Sequence, residues 1–155
     1  MKSCNGVVPI SSGFCSACGK QKSSSLIQEA EKLKTQIKIT GEYSPELYKQ
    51  AKGLLHPYDC DFMKILKFAW NDFDGQKSQN HAIGLEICEL TMINLLWSYP
   101  QILPRIGFEK IKMANSCAML SKIEKAKKLI EEAKILFEIC FAKSHPIMEI
   151  FQKSS

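Results

Sequence analysis

The 155-residue sequence predicts an all-α fold, in which antiparallel helix pairs stack as an array behind a short irregular segment that contains cysteines. From Leu26 onward, apolar residues recur every three or four positions, the spacing of one helix face. Residues that cap or end helices separate these runs. His56-Pro57 and His145-Pro146, with Tyr99-Pro100 close to midway, indicate two successive units of roughly 44 residues.

Residues 1–24 are irregular and rich in Gly, Ser, Pro and Cys. Cys15-Ser16-Ala17-Cys18-Gly19 has the form of a zinc knuckle, because two intervening residues let both sulfurs reach one tetrahedral ion. Cys4-Asn5-Gly6 is similar to the end of a partner knuckle, but Met1 stands where another cysteine is wanted. We therefore expect at most one zinc ion, bound by Cys4, Cys15 and Cys18, with its fourth ligand unidentified. His56 is distant in sequence, and chance cysteines in an irregular segment are the alternative.

Residues 25–155 form the predicted helical domain. Ser25 is expected to cap a first helix whose apolar face is Leu26, Ala30, Leu33 and Ile37. Ser44-Pro45-Glu46 starts a second helix, with a capping serine, proline at the first position and an acid in the first turn. His56-Pro57 ends this helix.

The next two helices carry most of the large apolar residues. Asp59 is expected to cap a helix that buries Phe62, Ile65, Leu66, Ala69 and Phe73 and breaks at Asp74-Gly75. A helix of about residues 79–98 follows, and it is apolar around much of its circumference. Such a broad apolar surface predicts burial between neighbouring helices.

After Pro100 and Pro104, a further helix is expected to carry the apolar residues Phe108, Ile111, Ala114 and Ala118. Ser121 is expected to cap the most regular helix of the chain, with an apolar stripe from Ile123 to Cys140. Ser144-His145-Pro146 opens a short final helix.

The second unit resembles a tetratricopeptide repeat, which places small residues at three positions where paired helices approach closely. Ala114, Ala126 and Ala133 have the required spacings, twelve and then seven residues, and Ile130 stands where a large apolar residue is wanted. The first unit fits more loosely, with Ala69, then His81 or Ala82, then Cys88. The alternative is a generic antiparallel helix bundle. Stacked repeats share a continuous core and form a concave surface.

The cysteine segment, Leu55-His56-Pro57-Tyr58 and the stretch from Lys125-Ala126 to Ser144-His145-Pro146-Ile147-Met148-Glu149 together resemble the C-terminal part of SET and MYND domain-containing protein-lysine methyltransferases. The front segment is most similar to the zinc-ribbon insertion of the fourth subgroup. The resemblance implies a tail region that flanks the substrate cleft and helps to bind partners. The family's S-adenosylmethionine motifs are absent from the sequence, and Asn80-His81 is followed by Ala82. We therefore expect no catalytic residue, no S-adenosylmethionine binding and no methyl transfer by this chain alone.

Composition disfavours other functions. The net charge is +5, but Arg105 is the one arginine among 21 basic residues, and the lysines are scattered among glutamates, so nucleic-acid binding is not expected. No apolar run is long enough to cross a membrane, and no secretory signal precedes the helices, so we expect a cytoplasmic or nuclear protein. Cys60, Cys88, Cys117 and Cys140 fall singly in helices, which favours thiols over disulfides.

The expected partner is a protein or peptide segment, or the catalytic domain that the resemblance implies. A concave surface with polar side chains would favour peptide recognition, and an apolar patch near residues 26–55 would favour docking to that domain. A stand-alone tetratricopeptide-like adaptor is the alternative. An enzyme with dispersed site residues is a third class, although no Gly-x-Ser-x-Gly elbow or Gly-rich phosphate loop occurs.

Overall fold

The computed structural model describes residues 13–15, 18–40, 44–75 and 80–152, and these residues confirm the all-α fold. Within these ranges there is no strand, and the one isolated β-bridge pairs Phe14 with Gln21. Helices that follow one another in the chain pack together, namely α1 with α2, α4 with α5, α5 with α6 and α6 with α7. The helices are α1 Ser24–Thr40, α2 Pro45–Leu54, α3 Cys60–Gly75, α4 His81–Ser98, α5 Pro104–Met119, α6 Ile123–Cys140 and α7 Pro146–Gln152.

The chain divides into two compact units, Met1–Phe68 and Ala69–Ser155, and the division falls within α3. The predicted boundary between residues 24 and 25 separates an irregular segment from a helical one. It is drawn from residue composition, whereas the two units are separated by how their residues pack. That boundary therefore stays a prediction.

In the first unit, side chains at the helix starts set the positions of α1 and α2. The Ser23 Oγ accepts a hydrogen bond from the Leu26 N–H at 3.4 Å, so Ser23 caps α1 and the predicted cap at Ser25 is wrong by two positions. The Ser44 Oγ accepts from the Leu47 N–H at 3.0 Å, which confirms the predicted start of α2. The buried residues of these two helices are Leu33, Ile37, Leu47, Tyr48 and Ala51.

α3 has the predicted cap and the predicted buried face. The Asp59 Oδ1 accepts a hydrogen bond from the Asp61 N–H at 2.9 Å. Phe73 is half-buried, while the rest of the predicted face is buried: Phe62, Ile65, Leu66 and Ala69.

Small residues allow the helices of the second unit to approach closely. Ala114, Ala126 and Ala133 are all buried, as expected from their spacing. A Cβ added to Gly107 on α5 would lie 2.6 Å from the Phe137 ring of α6, so only glycine fits beneath that ring. One core cluster joins α4, α5 and α6 through Leu85, Cys88, Met113, Ala114, Cys117 and Ala126, and a second joins α6 and α7 through Ala133, Phe137 and Met148.

Two helices bury other faces than their apolar residues alone indicate. α5 exposes Phe108 and Ala118 and buries Ile106, Met113 and Cys117 as well as the expected Ala114. Because α5 packs against both α4 and α6, its buried arc covers roughly half of the helix circumference and includes polar residues. α4 is not buried all round, since it leaves several large apolar side chains exposed.

The turn from α5 to α6 also differs from the prediction. Ser121 does not cap α6, because it has a φ of 58° and lies just after the end of α5. The Lys122 N–H donates to the Cys117 carbonyl at 2.8 Å, and the Ser121 N–H donates to the Ala118 carbonyl at 3.0 Å. This pair of bonds is a Schellman motif, which usually has glycine at the left-handed position.

Candidate protein-interaction surface and metal-binding groups

Two of the three predicted zinc ligands lie on one short hairpin of the first unit. The Cys15 N–H donates to the Lys20 carbonyl, and the Gly19 N–H donates to the Cys15 carbonyl, both at 2.9 Å. Gly19 has a φ of +66°, the conformation expected of a knuckle glycine. Cys15 is buried and Cys18 is exposed. Cys4, the third predicted ligand, lies outside the described residues.

A second group of ligand atoms lies at the start of α3. Asp59, Cys60 and Asp61 each contribute one atom, and these atoms lie within 4.8 Å of one another, so the group could hold a metal ion. Both carboxylates already have cationic partners. The Lys34 Nζ lies 2.5 Å from the Asp59 Oδ2, and the Lys64 Nζ lies 2.8 Å from the Asp61 Oδ1. A metal ion would have to compete with these lysines and with the helix cap that Asp59 makes.

The two His-Pro junctions share one local geometry. The Nδ1 atoms of His56 and His145 accept hydrogen bonds from the N–H groups two residues later, at 3.3 and 3.2 Å. Their carbonyls accept from the N–H groups three residues later, both at 2.8 Å. Each ring also lies against an aromatic side chain, at 4.5 Å for Tyr58 and 4.2 Å for Phe141. His145 therefore organises the start of α7, and His56 organises the turn between α2 and α3.

Buried polar groups line the contact between α4 and α5. Glu109 is buried, and its carboxylate lies 2.9 Å from the Lys112 Nζ. The Lys112 Nζ in turn lies 4.7 Å from the centre of the Trp70 ring. Burial, and then the charge of Glu109, raise the pKa of the Cys88 thiol. Since the reactive form of cysteine is the thiolate, this cluster has the properties of a packing element and not of a nucleophilic site.

The outer face of α4 exposes several large apolar side chains. We call it the α4 stripe and define it as Ile83, Leu90, Ile93, Leu96 and Trp97. Ile93, Leu96 and Trp97 are 44%, 47% and 62% exposed, and Leu90 is half-buried. Tyr99 and Ile102 extend the exposed apolar surface beyond the helix end. Contiguous apolar surface of this kind marks sites of protein contact.

All charged groups on α4 are acidic. The helix contains Glu86 and Glu89 and neither lysine nor arginine. The exposed Glu89 carboxylate lies 3.0 Å from the Lys125 Nζ at the start of α6. The hydrogen bond to Glu89 is the main reason that the pKa of Lys125 is raised. Glu86 therefore interrupts the α4 stripe between Ile83 and Leu90, and the charge of Glu89 is paired with Lys125.

Sequence reasoning missed three features of this region. The continuous apolar character of α4 concealed which side is outside, because periodicity cannot distinguish a buried residue from an exposed one on a helix without polar alternation. Glu109 and Ser116 are buried, and their polarity alone would have placed them at the surface. The preceding cap was also overlooked: the Asn80 Oδ1 accepts from the Ile83 N–H at 3.4 Å and starts α4.

Comparison with protein-family models, with curated proteins and with solved structures finds no match for this chain. Among the described residues, no helix is both long enough and apolar enough to span a membrane.

Proposed function

We propose that this chain is a non-catalytic helical-repeat module that binds protein, and that the α4 stripe is its contact surface. The observation that carries this proposal is the exposure of Ile93, Leu96 and Trp97 on one side of a helix whose other side is packed in the core. Exposing such side chains to water is unfavourable, and a bound protein would cover them.

The proposal also covers the family to which the chain belongs. We infer that the chain corresponds to the C-terminal portion of a SET/MYND-type lysine methyltransferase and acts in the cytoplasm or nucleus. The shared geometry of His56 and His145 supports a recurring unit, and the buried Ala114, Ala126 and Ala133 support close packing of the tetratricopeptide type. A stand-alone adaptor unrelated to methyltransferases is the second candidate, since the same packing serves both. Calorimetric titration with S-adenosylmethionine is expected to give no binding by this chain, and methyl transfer by it would contradict the proposal.

We also propose zinc as the metal of the cysteine hairpin. Cys15 begins the turn of the hairpin and Cys18 lies in it directly before the left-handed Gly19, and thiolates are preferred zinc ligands. The chain purified under reducing conditions is expected to contain at most one zinc ion, lost in Cys15→Ser and Cys18→Ser. Cys60→Ser is the matched control, because Cys60 belongs to the separate group at the start of α3. Zinc loss only in the control would move the proposed site to that group.

Partner capture tests the interaction function. Proteins that cross-link to the wild-type chain are compared with those that cross-link to the α4 variant Ile93→Ser/Leu96→Ser. The control variant, Ile135→Ser/Ile139→Ser, removes exposed isoleucines from α6. We expect a partner that is lost only with the α4 variant and that binds the purified wild-type chain directly. Partners retained by the α4 variant would contradict the assignment of this surface.

A further inference from the structure

One histidine side chain bonds the first turn of α7. The Nδ1 atom of His145 accepts a hydrogen bond from the Ile147 N–H at 3.2 Å, and only an unprotonated imidazole nitrogen can accept such a bond. We infer that α7 is an acid-sensitive strap, which lies on α6 while His145 is neutral and is released more often when His145 is protonated. This inference concerns α7 and goes beyond the contact surface proposed on α4.

α7 is held to α6 by a few apolar side chains. Met148 of α7 is buried in a cluster with Ala133 and Phe137 of α6, and Ile147 packs against the same cluster. The ring centre of Phe151 lies 5.9 Å from that of Phe137. A helix of seven residues is not stable alone in water, so α7 depends on this contact and on its cap. Its release would uncover the fully buried Phe137.

Protonation of His145 weakens the cap in two ways. The protonated ring has an N–H at both nitrogens, so Nδ1 becomes a donor that faces the Ile147 N–H. The positive charge also lies at the amino end of a helix, where the backbone dipoles favour negative charge. The Met148 N–H still bonds to the His145 carbonyl at 2.8 Å, so the helix start is weakened and not abolished.

The surroundings of His145 do not neutralise a positive ring. The imidazole is stacked on Phe141, directly after α6, with the ring centres 4.2 Å apart and the planes 18° apart. A cationic ring is attracted to this aromatic face, so it stays beside the start of α7. Within the described part of the chain, His145 has no ion pair. The nearest charged residues in sequence are Lys143 and Glu149, which have opposite charges.

His56 provides an internal comparison. Its Nδ1 atom accepts a hydrogen bond from the Tyr58 N–H at 3.3 Å, which is the same local geometry. The helix that follows has a separate cap, because the Asp59 carboxylate accepts from the Asp61 N–H at 2.9 Å. Loss of the His56 acceptor is therefore expected to leave the start of α3 in place.

Hydrogen exchange of the full chain tests the inference. Histidine side chains change charge between about pH 5 and pH 8, and the ring protons of His145 in NMR spectra show when this residue is protonated. Protection factors, which are corrected for the intrinsic effect of pH on exchange, are measured for the amides of α7. They are expected to fall about three- to tenfold as His145 is protonated, the fold-change that corresponds to loss of a helix cap. The protection factors of α5 are expected to stay constant.

Two variants separate the cap from general effects of acid, after thermal melts establish that both are folded. His145→Asn keeps a side-chain acceptor that does not titrate, so protection of α7 is expected to be independent of pH. His56→Asn is the matched control and is expected to show the wild-type fall in α7. A fall of the same size in His145→Asn, or constant protection of α7 while the wild-type His145 ring titrates, would overturn the inference. Either result would leave the proposed α4 surface in place, because partner capture tests that surface separately.

Discussion

α4 and α6 have the same length, 18 residues, and each buries one face in the second unit, yet their outer faces differ. α6 interrupts its exposed isoleucines with lysine and glutamate at almost every turn. α4 has two glutamates and otherwise presents uncharged side chains. The inner faces follow one rule, in which small residues let a neighbouring helix or ring approach. The outer faces differ, because only the outer face of α6 has charged side chains at almost every turn.

This difference means that similar helices in one unit present different surfaces to solvent. A face that is charged at every turn is stable in solvent and needs no partner. A face that exposes isoleucine, leucine and tryptophan side by side is stabilised when another surface covers it. Both helices form the core, and the exposed face of α4 is the one for which we propose partner binding.

The largest expected effect comes from truncating buried side chains on the two inner faces. Phe137→Ala on α6 is expected to lower the free energy of unfolding by about 3–5 kcal/mol, and Leu95→Ala on α4 by about 2–5 kcal/mol, because both side chains are fully buried. Ile93→Ala and Ile139→Ala on the outer faces are expected to cost less than about 1 kcal/mol. Urea denaturation measures all four. A loss for Ile93→Ala as large as that for Leu95→Ala would mean that the outer face of α4 is packed, and the comparison would fail.

The next effect concerns glycines beneath aromatic rings. A Cβ added to Gly84 on α4 would lie 2.7 Å from the Phe73 ring, and one added to Gly107 would lie 2.6 Å from the Phe137 ring. Gly84→Ala and Gly107→Ala are each expected to cost about 1–3 kcal/mol, because the rings must move. Gly53→Ala on α2 is the matched control. A Cβ there would meet nothing within 4 Å, so it is expected to stabilise the first unit by about 0.5–1 kcal/mol. Thermal denaturation that showed the same sign at all three positions would contradict the close approach in the second unit.

A smaller and opposite effect is expected at the turn that leads into α6. Ser121 has a φ of 58°, a conformation that costs a side-chain-bearing residue roughly 1 kcal/mol relative to glycine. Ser121→Gly is therefore expected to stabilise the chain by up to about 1 kcal/mol, as measured by the urea midpoint. Ser98→Gly, which removes a serine from the last turn of α4, is expected to destabilise instead. Destabilisation by Ser121→Gly would mean that the Schellman turn is absent.

The smallest effect comes from the ion pair that joins α4 to α6. Glu89 and Lys125 are both about half exposed, so solvent screening limits their coupling to about 0.2–1 kcal/mol in a double-mutant cycle. The pKa of Lys125 is raised above its ordinary value of 10.5, so the contribution is fully present below that pH and disappears as the pH rises through the folded-state pKa. A coupling energy that persisted after Lys125 is deprotonated would contradict the ionic origin.

Local sequence signals predicted much of the fold. Ser44-Pro45-Glu46 predicted the start of α2, because the cap, the proline and the acid act within one turn. Asp59 predicted the start of α3 in the same way, and the spacing of Ala114, Ala126 and Ala133 predicted three buried contacts. These features depend on residues close together in the chain or on one helix face.

The features that sequence did not predict depend on which helices are neighbours. The buried arc of α5 is set by two packing partners, so Glu109 is buried although it is charged. The outer face of α4 could not be separated from its inner face, because both are apolar. Ser121 is a common capping residue, and only its left-handed backbone shows that it ends α5 instead. The predicted ligands Cys15 and Cys18 lie on one hairpin, whereas Cys4 lies outside the described residues.

Hydroxyl-radical footprinting of the free chain is the most direct test of the open outer face of α4. Ile93, Leu96 and Trp97 are expected to be oxidised readily, as are Ile135 and Ile139 on α6, whereas the buried Leu95 is expected to be protected. Protection of Ile93, Leu96 and Trp97 to the level of Leu95 would contradict the conclusion that this face of α4 is open to solvent.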